Sequence, residues 1–369
     1  MNITQISYHY RPIVGGQEVY IQNLQRVFES AGHRSCVMQP MKRVRAGDTI
    51  MVLRLPGLDR LVPGSDEFVF MWSAYLSKQA VLRRSNVIIA HYAVNALLHE
   101  KFARKTIVLS HGVEWHMENM QWYDRLHERA ARTTFSRNPL VANDTHYLRT
   151  MGADIKPATE MFREILPNVW FIPNCVDTSC FRRVSEPPGD GAEKVILVPR
   201  QITEDRGIDL AIRSFGKILE SRAGLRLCIS GKAHHEGYLK KCIDLAVELG
   251  IRDKVDFCPS AAYAAMPALY STAALTLIPT LCREGTSLSA LESMSCGTAV
   301  VSTNVAGLAD LPTVQARPDP GDLAAAVISV LDSREKTARE QQRIVRESFN
   351  MANWSHAWLE VIRKVGGNS

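Results

Sequence analysis

Residues 283–304 read REGTSLSALESMSCGTAVVSTN, and this stretch decides the fold. A Gly-Thr-Ser turn follows Glu284, and apolar residues at helical spacing surround Glu292. Gly297 ends that periodic run, and TAVVST then has the composition of a buried strand. The pattern predicts a loop, a helix that begins at Thr286 and Ser287, and a strand, which is one unit of an α/β protein.

The predicted helix start has the chemistry of a phosphate site. Its first backbone N–H groups lack partners within the helix and carry a partial positive charge, which attracts phosphate oxygens. Glu284, in the loop before the helix, could accept hydrogen bonds from sugar hydroxyls, and Glu292 could accept two from the cis-diol of a ribose. Together these features predict a nucleotide-sugar site. The alternative is a solvated helix with Glu292 exposed.

The same alternation of short apolar strands and amphipathic helices runs through both halves of the chain. It predicts an α/β fold with two doubly wound parallel-sheet domains. The segment 182–193 is rich in Pro, Gly and charge, so it is predicted to link residues 1–181 to residues 194–348. Expected strands in the first half are ITQIS, NVIIAH, KTIVLS, PLVAN and VWFIP, and in the second half KVILVP, LRLCIS, KVDFC, AALTLIP and TAVVST.

Composition narrows the class of protein. The chain has 369 residues, 46% of them hydrophobic and 22% charged, which suits a soluble protein with a sizeable core. No run approaches the length of a membrane span, and the first residues lack a secretory pattern, so a cytoplasmic protein is expected. The eight cysteines form no C-x-x-C pair, and His234 and His235 are expected in an exposed loop, so no metal site is predicted.

Several common motifs are missing. No G-x-G-x-x-G opens a helix after a strand, and neither G-x-x-x-x-G-K-[ST] nor G-x-S-x-G occurs. Their absence argues against dehydrogenases, P-loop enzymes and serine hydrolases. Because doubly wound sheets bind ligands beyond the carboxyl ends of their strands, the polar residues that follow strands in both halves predict a site in a cleft between two facing domains.

Six segments together resemble one known family, the retaining glycosyltransferases of family four. EGTSLSALESMSCGTAVVST is similar to the family's E-x7-E segment, and IPNCVDTSCF to its IPNGVD segment before the linker. The other four, in chain order, are GGQEVYIQNLQRVFESAGH, LSHGVEW, VPRQITEDRGIDLAIRSF and ESFNMANWSHAWLEVI. The resemblance covers nearly the whole chain and is weakest over residues 42–84. It implies the GT-B architecture, an acceptor-binding first domain, a nucleotide-sugar-binding second domain, and a C-terminal helix at 349–369 that crosses back to the first.

The resemblance also implies roles for residues at matching positions. Arg200 and Arg206 would bind the donor diphosphate, Glu284 would contact the transferred sugar, and Glu292 would bind the ribose. His111 would reach the reacting sugar or the acceptor, with packing in the core as the alternative. The remaining phosphate contacts would come from a loop and from backbone amides, at Gly15, Gly16, Thr286, Ser287 and Leu288.

Three positions depart from the family's pattern. Pro199 stands where glycine is common in the family. Arg206 replaces a usual lysine, so both diphosphate-binding cations are retained, but the hydrogen-bond geometry at Arg206 differs. Cys175 replaces the glycine of PNGVD and would be strained if that position needed a positive φ.

The sequence therefore predicts a retaining, metal-independent glycosyltransferase with no cofactor and a nucleoside diphosphate sugar as donor. UDP-sugar is the donor we favour, while GDP and ADP sugars stay open. The acceptor stays open among a lipid-linked glycan, a lipopolysaccharide core, a capsule chain and a small molecule, and no nucleic acid partner is expected. The rivals are a sugar-nucleotide epimerase or phosphorylase of the same fold, and a non-catalytic nucleotide-sugar-binding subunit.

Charge predicts an anionic partner for the first half of the chain. Residues 1–184 hold 23 Lys and Arg against 16 Asp and Glu, whereas residues 185–369 hold 21 against 22. The segment EWHMENMQWYDRLHERAARTTFSR combines aromatic and basic residues along a predicted helix, which suits the anionic surface at the inner face of a membrane. The alternative is an ordinary helix whose aromatics pack inward. The residues concerned are Trp115, Trp122, Tyr123, Arg125, Arg129, Arg132 and Arg137.

Overall fold

A computed structural model describes residues 1–13, 15–41, 45–58, 66–115, 120–157, 160–185 and 193–367. The chain divides into two compact units. The first comprises Met1–Pro173 together with Trp354–Ser369, and the second comprises Asn174–Asn353. The division after residue 173 lies eight positions before the predicted domain end at 181. Residues 186–192 of the predicted linker lie outside the described ranges.

The first unit is built on an eight-stranded sheet with the order β3-β2-β1-β4-β5-β6-β8-β7. All neighbours are parallel except β7, which pairs antiparallel with β8 at one edge. The central strand VIIAH is buried at every position because helices cover both faces of a parallel sheet. The strands are β1 Asn2–Ile6, β2 Arg34–Pro40, β3 Thr49–Val52, β4 Val87–His91, β5 Thr106–Ser110, β6 Leu140–Ala142, β7 Arg163–Leu166 and β8 Val169–Phe171.

The α-helices that cover this sheet in the first 173 residues begin and end at recognisable signals. The first helix has the extended residue Gly15 at its N-cap, and Gly32, at φ +76°, stands just past its end. Another helix begins after Asp144, whose carboxylate accepts a hydrogen bond from the N–H of Tyr147. The helices are α1 Gly16–Ser30, α2 Asp66–Ser77, α3 Gln79–Arg84, α4 Trp122–Phe135 and α5 Thr145–Thr150.

The second unit is built on a six-stranded, wholly parallel sheet with the order β11-β10-β9-β12-β13-β14. Its largest cluster of buried apolar side chains includes Phe215, Leu227 and Val301. The strands are β9 Lys194–Val198, β10 Leu225–Ser230, β11 Val255–Cys258, β12 Leu275–Ile278, β13 Val300–Thr303 and β14 Val314–Ala316. The α-helices are α6 Ile208–Leu219, α7 Glu236–Glu248, α8 Met266–Thr272, α9 Leu288–Ser295, α10 Pro320–Asp332 and α11 Arg334–Ser348.

The last helix, α12 Met351–Gly367, clusters with the first unit from Trp354 onward. The indole N–H of Trp358 donates to the hydroxyl of Tyr20 on α1 at 2.9 Å, and the ring of Trp354 meets the ring of Tyr20 edge-on with centroids 4.9 Å apart. In the described part of the chain, no helix combines the length and the apolar character needed to cross a membrane.

The ten strands expected from the sequence are confirmed, and so is the parallel arrangement of both sheets apart from β7. Four strands were not predicted. β2 mixes polar with apolar residues, β3 and β14 span only four and three residues, and β7 is an antiparallel edge strand. Short edge strands bury little apolar surface and so leave a weak period-two pattern.

Candidate active site

Arg200 lies just beyond the carboxyl end of β9, and its side chain turns into the protein, where it is only 9% exposed. The loop after the neighbouring strand β10 approaches it closely. A Cβ on Gly231 would collide with the backbone carbonyl of Arg200, so only glycine fits there. The backbone on either side of Arg200 is thereby held in place.

Three charged side chains, Arg200, Arg206 and Glu284, form what we call the arginine site. Oε2 of Glu284 receives a close contact from Nη2 of Arg200 and another from Nη1 of Arg206. Nη2 of Arg200 also donates to Oγ1 of Thr280 at 3.1 Å, and Nη1 of Arg206 donates to the carbonyl of Arg283 at 3.0 Å. The second carboxylate oxygen, Oε1, lies 3.4 Å from Nη1 of Arg200.

The electrostatics of the arginine site favour an anion. Two guanidinium groups face Glu284, and Oδ2 of Asp205 lies 3.7 Å from Nε of Arg206. Burial lowers the pKa of Arg200, and the charge of Glu284 opposes that shift. Because the buried guanidinium of Arg200 loses hydration, an anion that reaches it would be bound through charge-assisted hydrogen bonds.

The start of α9 stands beside these charges. Ser287 is the N-cap without a side-chain cap bond, and Leu288 is the first helical residue. Nη1 of Arg200 lies 3.4 Å from the hydroxyls of both Ser287 and Ser289. The helix start therefore adds its partial positive charge to that of the arginines, as a phosphate site requires.

Thr286, in the turn before α9, is tied to the IPN segment. Its hydroxyl accepts a hydrogen bond from the backbone N–H of Asn174 at 2.7 Å, and its carbonyl accepts one from the side-chain amide of the same asparagine. Asn174 thus fixes the conformation of the turn from a position 112 residues away.

Glu292 is buried inside α9 and is 7% exposed, so the alternative of a solvated, exposed Glu292 is wrong. One carboxylate oxygen accepts a hydrogen bond from the hydroxyl of Tyr270 on α8 at 2.9 Å. Burial raises the pKa of Glu292 to about 8, while the bond from Tyr270 acts in the opposite direction. Glu292 is therefore a neutral acid at neutral pH before any ligand binds.

The predicted loop before the first helix is described only in part. Gly15 is the N-cap of α1, and its carbonyl accepts the N–H of Val19 at 3.2 Å. Gly16 is the first helical residue. Val14 lies outside the described residues.

His111 directly follows β5 and ends a run of hydrogen bonds that we call the histidine chain. Its Nε2 is 3.0 Å from Nδ1 of His91, and Nε2 of His91 is 2.8 Å from Oε1 of Gln5. The side-chain amide of Gln5 donates to Oε1 of Gln25 at 2.8 Å. Burial lowers the pKa of His111 to about 3 and holds that of His91 well below its usual range, so both rings are neutral at physiological pH.

The surroundings of the histidine chain restrain its members. The ring of Tyr20 meets the ring of His111 edge-on at 5.1 Å, and Asn95 donates to the backbone carbonyl of His91 at 2.6 Å. Tyr92, next in sequence, has φ 73° and ψ 146°, a conformation that costs a residue with a side chain about 1–3 kcal/mol. Its ring lies edge-on to His111 at 5.2 Å. Such strain is typical of functional sites.

The predicted residues therefore fall into two groups, one in each unit. The second unit brings Arg200, Arg206 and Glu284 together with Ser287 and Leu288, while Glu292 lies farther along α9. The first unit holds His111, Gly15 and Gly16. Further residues of these two groups were not among the predicted site residues, namely Asn174, Asp205, Tyr270, Thr280, Ser289, Gln5, Gln25 and His91. Asn174 lies in the IPN segment quoted above. His91 could have been found from the sequence, because a histidine at the end of a buried apolar strand is a candidate site residue.

Cys175, the departure from PNGVD, is buried and is not among the described residues with a positive φ. Its sulfur lies 3.2 Å from that of Met351, and burial raises the pKa of the thiol well above its usual range. The strain considered for this position is absent, and Cys175 is an unreactive packing residue.

The chain has the GT-B fold, as comparison with solved structures shows. It superimposes on the sucrose-phosphate synthase of Thermosynechococcus elongatus with a TM-score of 0.81, at 17% identity and over 100% of both chains. It superimposes on the Anabaena protein HepE in complex with UDP-glucose with a TM-score of 0.74, at 16% identity, over 99% of this chain and 100% of that one.

Residues 183–347 match the family described as glycosyl transferases group 1. A curated relative, an uncharacterized glycosyltransferase of Methanocaldococcus jannaschii, is 32% identical over 180 residues. That alignment spans 46% of this chain and 45% of the relative.

Proposed function

We propose that this protein transfers a sugar from a nucleoside diphosphate to an acceptor hydroxyl and retains the anomeric configuration. The observation that carries the proposal is the convergence of Arg200 and Arg206 on one carboxylate, Glu284, with the start of α9 beside Arg200. Two cations and a helix start suit a diphosphate, and a carboxylate among them suits the hydroxyls of the sugar that the diphosphate bears.

The chemistry would depend on stabilising the leaving group. When the bond between the anomeric carbon and the diphosphate oxygen breaks, its electron pair moves to the diphosphate, and the acceptor oxygen forms a new bond to the same carbon. The acceptor proton goes to an oxygen of the leaving phosphate, so no separate base is required. Fixed donors on Arg200 and Arg206 would stabilise the negative charge that develops.

Glu284 would have two tasks. Its Oε2 is contacted by both arginines, whereas Oε1 has, among the described residues, only the longer contact with Arg200. Oε1 therefore retains capacity to accept a hydrogen bond from a sugar hydroxyl. A bound diphosphate would share the guanidinium groups with Oε2 and so connect donor binding to the position of the carboxylate.

We propose a UDP-sugar as the donor and no resident metal or organic cofactor. A UDP-glucose complex of a protein with the same fold supports the choice of donor. Arg200 and Arg206 would carry out the charge neutralisation for which other transferases use a divalent cation. Turnover that survives treatment with EDTA is expected, and turnover restored only by added Mg²⁺ or Mn²⁺ would contradict this part.

We propose that transfer takes place in the cytoplasm, at the inner face of a membrane, onto a glycan, a lipid-linked acceptor or a small molecule. The support for membrane contact is the exposed face of α4, where Trp122 and Tyr123 are 51% and 41% exposed. Trp115 does not belong to this face, because it is buried in the core against Tyr147. Residues 116–119 of the segment lie outside the described ranges.

A thermal-shift panel tests the donor site directly. A ligand at about 100 times its dissociation constant stabilises a protein by roughly 2.7 kcal/mol. We expect UDP to raise the melting temperature. GDP and ADP test the preference for the base, and UMP is a control that lacks the second phosphate. If no nucleoside diphosphate stabilises the protein, the proposal is wrong.

Two further assays separate the rivals. An epimerase would interconvert donor sugars in the absence of any acceptor, and a phosphorylase would require inorganic phosphate. A non-catalytic subunit would bind UDP without consuming a UDP-sugar. Transfer to a mixed pool of glycan and lipid-linked acceptors, with the anomeric configuration of the product read by NMR, would support the retaining transferase.

A further inference from the structure

The direction of the hydrogen bonds along the histidine chain can be worked out from one fixed end. The side-chain amide of Gln25 lies 3.4 Å from the backbone carbonyl of Ser35, and a carbonyl can only accept. The nitrogen of Gln25 must therefore face Ser35, and its Oε1 faces Gln5 and also accepts a contact from the hydroxyl of Ser35.

Each later bond follows from the one before. Gln5 uses its nitrogen as donor to Gln25, so its Oε1 is the acceptor that faces His91. Nε2 of His91 must then carry a hydrogen. Because a neutral imidazole has one N–H and one lone pair, Nδ1 of His91 is an acceptor, and Nε2 of His111 must carry the hydrogen that fills the 3.0 Å contact.

The ring geometry agrees with this assignment. The planes of His91 and His111 differ by 11° and their centroids are 5.3 Å apart, while the two nitrogens are 3.0 Å apart. Rings that meet edge to edge in nearly one plane give this combination, and it aligns an N–H with the lone pair of the other ring.

We propose that Gln25, Gln5 and His91 are positioning residues that hold His111 as the tautomer with hydrogen on Nε2, leaving the lone pair of Nδ1 to accept a hydrogen bond from a sugar hydroxyl. Nδ1 of His111 has no hydrogen-bond partner among the described residues, and His111 is partly exposed. The role in recognition rests on the proposed function, whereas the tautomer does not.

Nitrogen NMR of protein labelled with ¹⁵N-histidine measures the tautomer without any substrate. We expect the hydrogen to be covalently bound to Nε2 of His111 and to show a coupling across the hydrogen bond to Nδ1 of His91, with signals assigned by their loss in His111→Gln. A hydrogen bound to Nδ1 of His91, or a doubly protonated His111, would overturn the proposal.

Two substitutions at one site test whether the glutamines set the direction. Gln25→Glu still accepts from Gln5 and should keep the wild-type tautomer. Gln25→Lys can only donate, so Gln5 should turn over, His91 should donate to His111, and the hydrogen of His111 should move to Nδ1. An unchanged tautomer in folded Gln25→Lys would overturn the proposal, and if neither variant folds, the wild-type measurement still decides.

Activity then tests the use of the lone pair. Transfer by Gln25→Lys should fall about tenfold relative to Gln25→Glu, the effect of one hydrogen bond lost from the transition state. A reversed tautomer with equal transfer would overturn the recognition role. If wild-type protein shows no transfer at all, the proposed function fails while the NMR result stands or falls independently.

Discussion

The arginine site and the histidine chain are both polar groups at the carboxyl ends of parallel strands, but they carry charge in opposite ways. Arg200, Arg206 and Glu284 meet as ions, whereas His111 and His91 are neutral rings joined to a neutral glutamine. Ions held in place suit a reaction in which charge moves onto a phosphate. A neutral chain suits recognition of a hydroxyl, which needs a defined donor or acceptor and no net charge. The predictions below test this contrast.

Removing a charge from the arginine site should have the largest effect. We expect Arg200→Ala to reduce turnover by about 10² to 10³, because a fixed donor to developing charge is lost. Steady-state rates at saturating donor, with a melting curve for each variant, measure it. Near-normal turnover in a folded Arg200→Ala protein would refute the leaving-group role.

Glu292 lies in the second unit, like the arginine site, but its raised pKa makes it a neutral acid. It therefore tests whether the polar groups of the second unit are all ions. Its pKa is raised from 4.5 to about 8 by burial, so its protonated form is favoured in the folded state. The resulting stabilisation is complete below about pH 4.5 and is lost as pH rises through about 8. In Glu292→Gln the side chain is neutral at every pH, so this variant keeps the stabilisation.

We therefore expect wild-type protein to lose about 1 kcal/mol of unfolding free energy per pH unit relative to Glu292→Gln between pH 5 and 8. Urea unfolding of both proteins at several pH values measures the difference. If the unfolding free energies of the two proteins changed with pH in parallel, Glu292 would be ionised in the folded protein, like Glu284.

The two glutamates should differ in what they bind. We expect Glu292→Ala to weaken the binding of free UDP about tenfold or more, since it removes hydrogen bonds to the ribose. Glu284→Ala should impair transfer without weakening the binding of UDP, because Oε1 is proposed to bind the sugar, and loss of the carboxylate leaves both arginines available to the diphosphate. Titration calorimetry with UDP compares them, and equal losses of UDP affinity would show that the assignment is wrong.

The arginine site was more accessible to sequence reasoning than the histidine chain, for physical reasons. Glu284, Ser287 and Glu292 stand close together in the sequence, in a segment whose charges and helix start have evident chemistry. The histidine chain joins residues 5, 25, 91 and 111. The pairing of β4 with β1 and with β5, and the packing of α1, bring these residues together. The burial of Glu292 and its bond to Tyr270 also depend on packing between helices that no local pattern encodes.

Changing the kind of cation without removing it should have a smaller effect. Arg206 donates to both Glu284 and the carbonyl of Arg283. Both contacts are made by one nitrogen, Nη1, so Arg206→Lys keeps a cation that can donate to the same acceptors, and we expect a decrease in turnover of only a few fold from its shorter side chain. Arg206→Gln, which is uncharged and about one atom shorter than lysine, is the control that removes the cation, and it should lose far more. Equal losses in the two variants would show that geometry matters there more than charge.

The weakest expected effect is attraction of the exposed face of α4 to an anionic membrane, where charge acts at a distance through solvent. Arg125, Arg129 and Arg132 are exposed on the helix that begins with Trp122. Each basic residue near an anionic surface contributes about 1 kcal/mol, and Arg132 contributes less because it already pairs with Glu128. Flotation with phosphatidylserine vesicles should show binding at low salt that disappears at high salt, since the Debye length falls from about 30 Å at 0.01 M to about 3 Å at 1 M. Arg129→Glu should weaken the binding, whereas Arg222→Glu, at an exposed arginine of the second unit paired with Asp332, should not. Equal flotation of the two variants would mean that net charge alone, and not this face of α4, attracts the protein to the membrane.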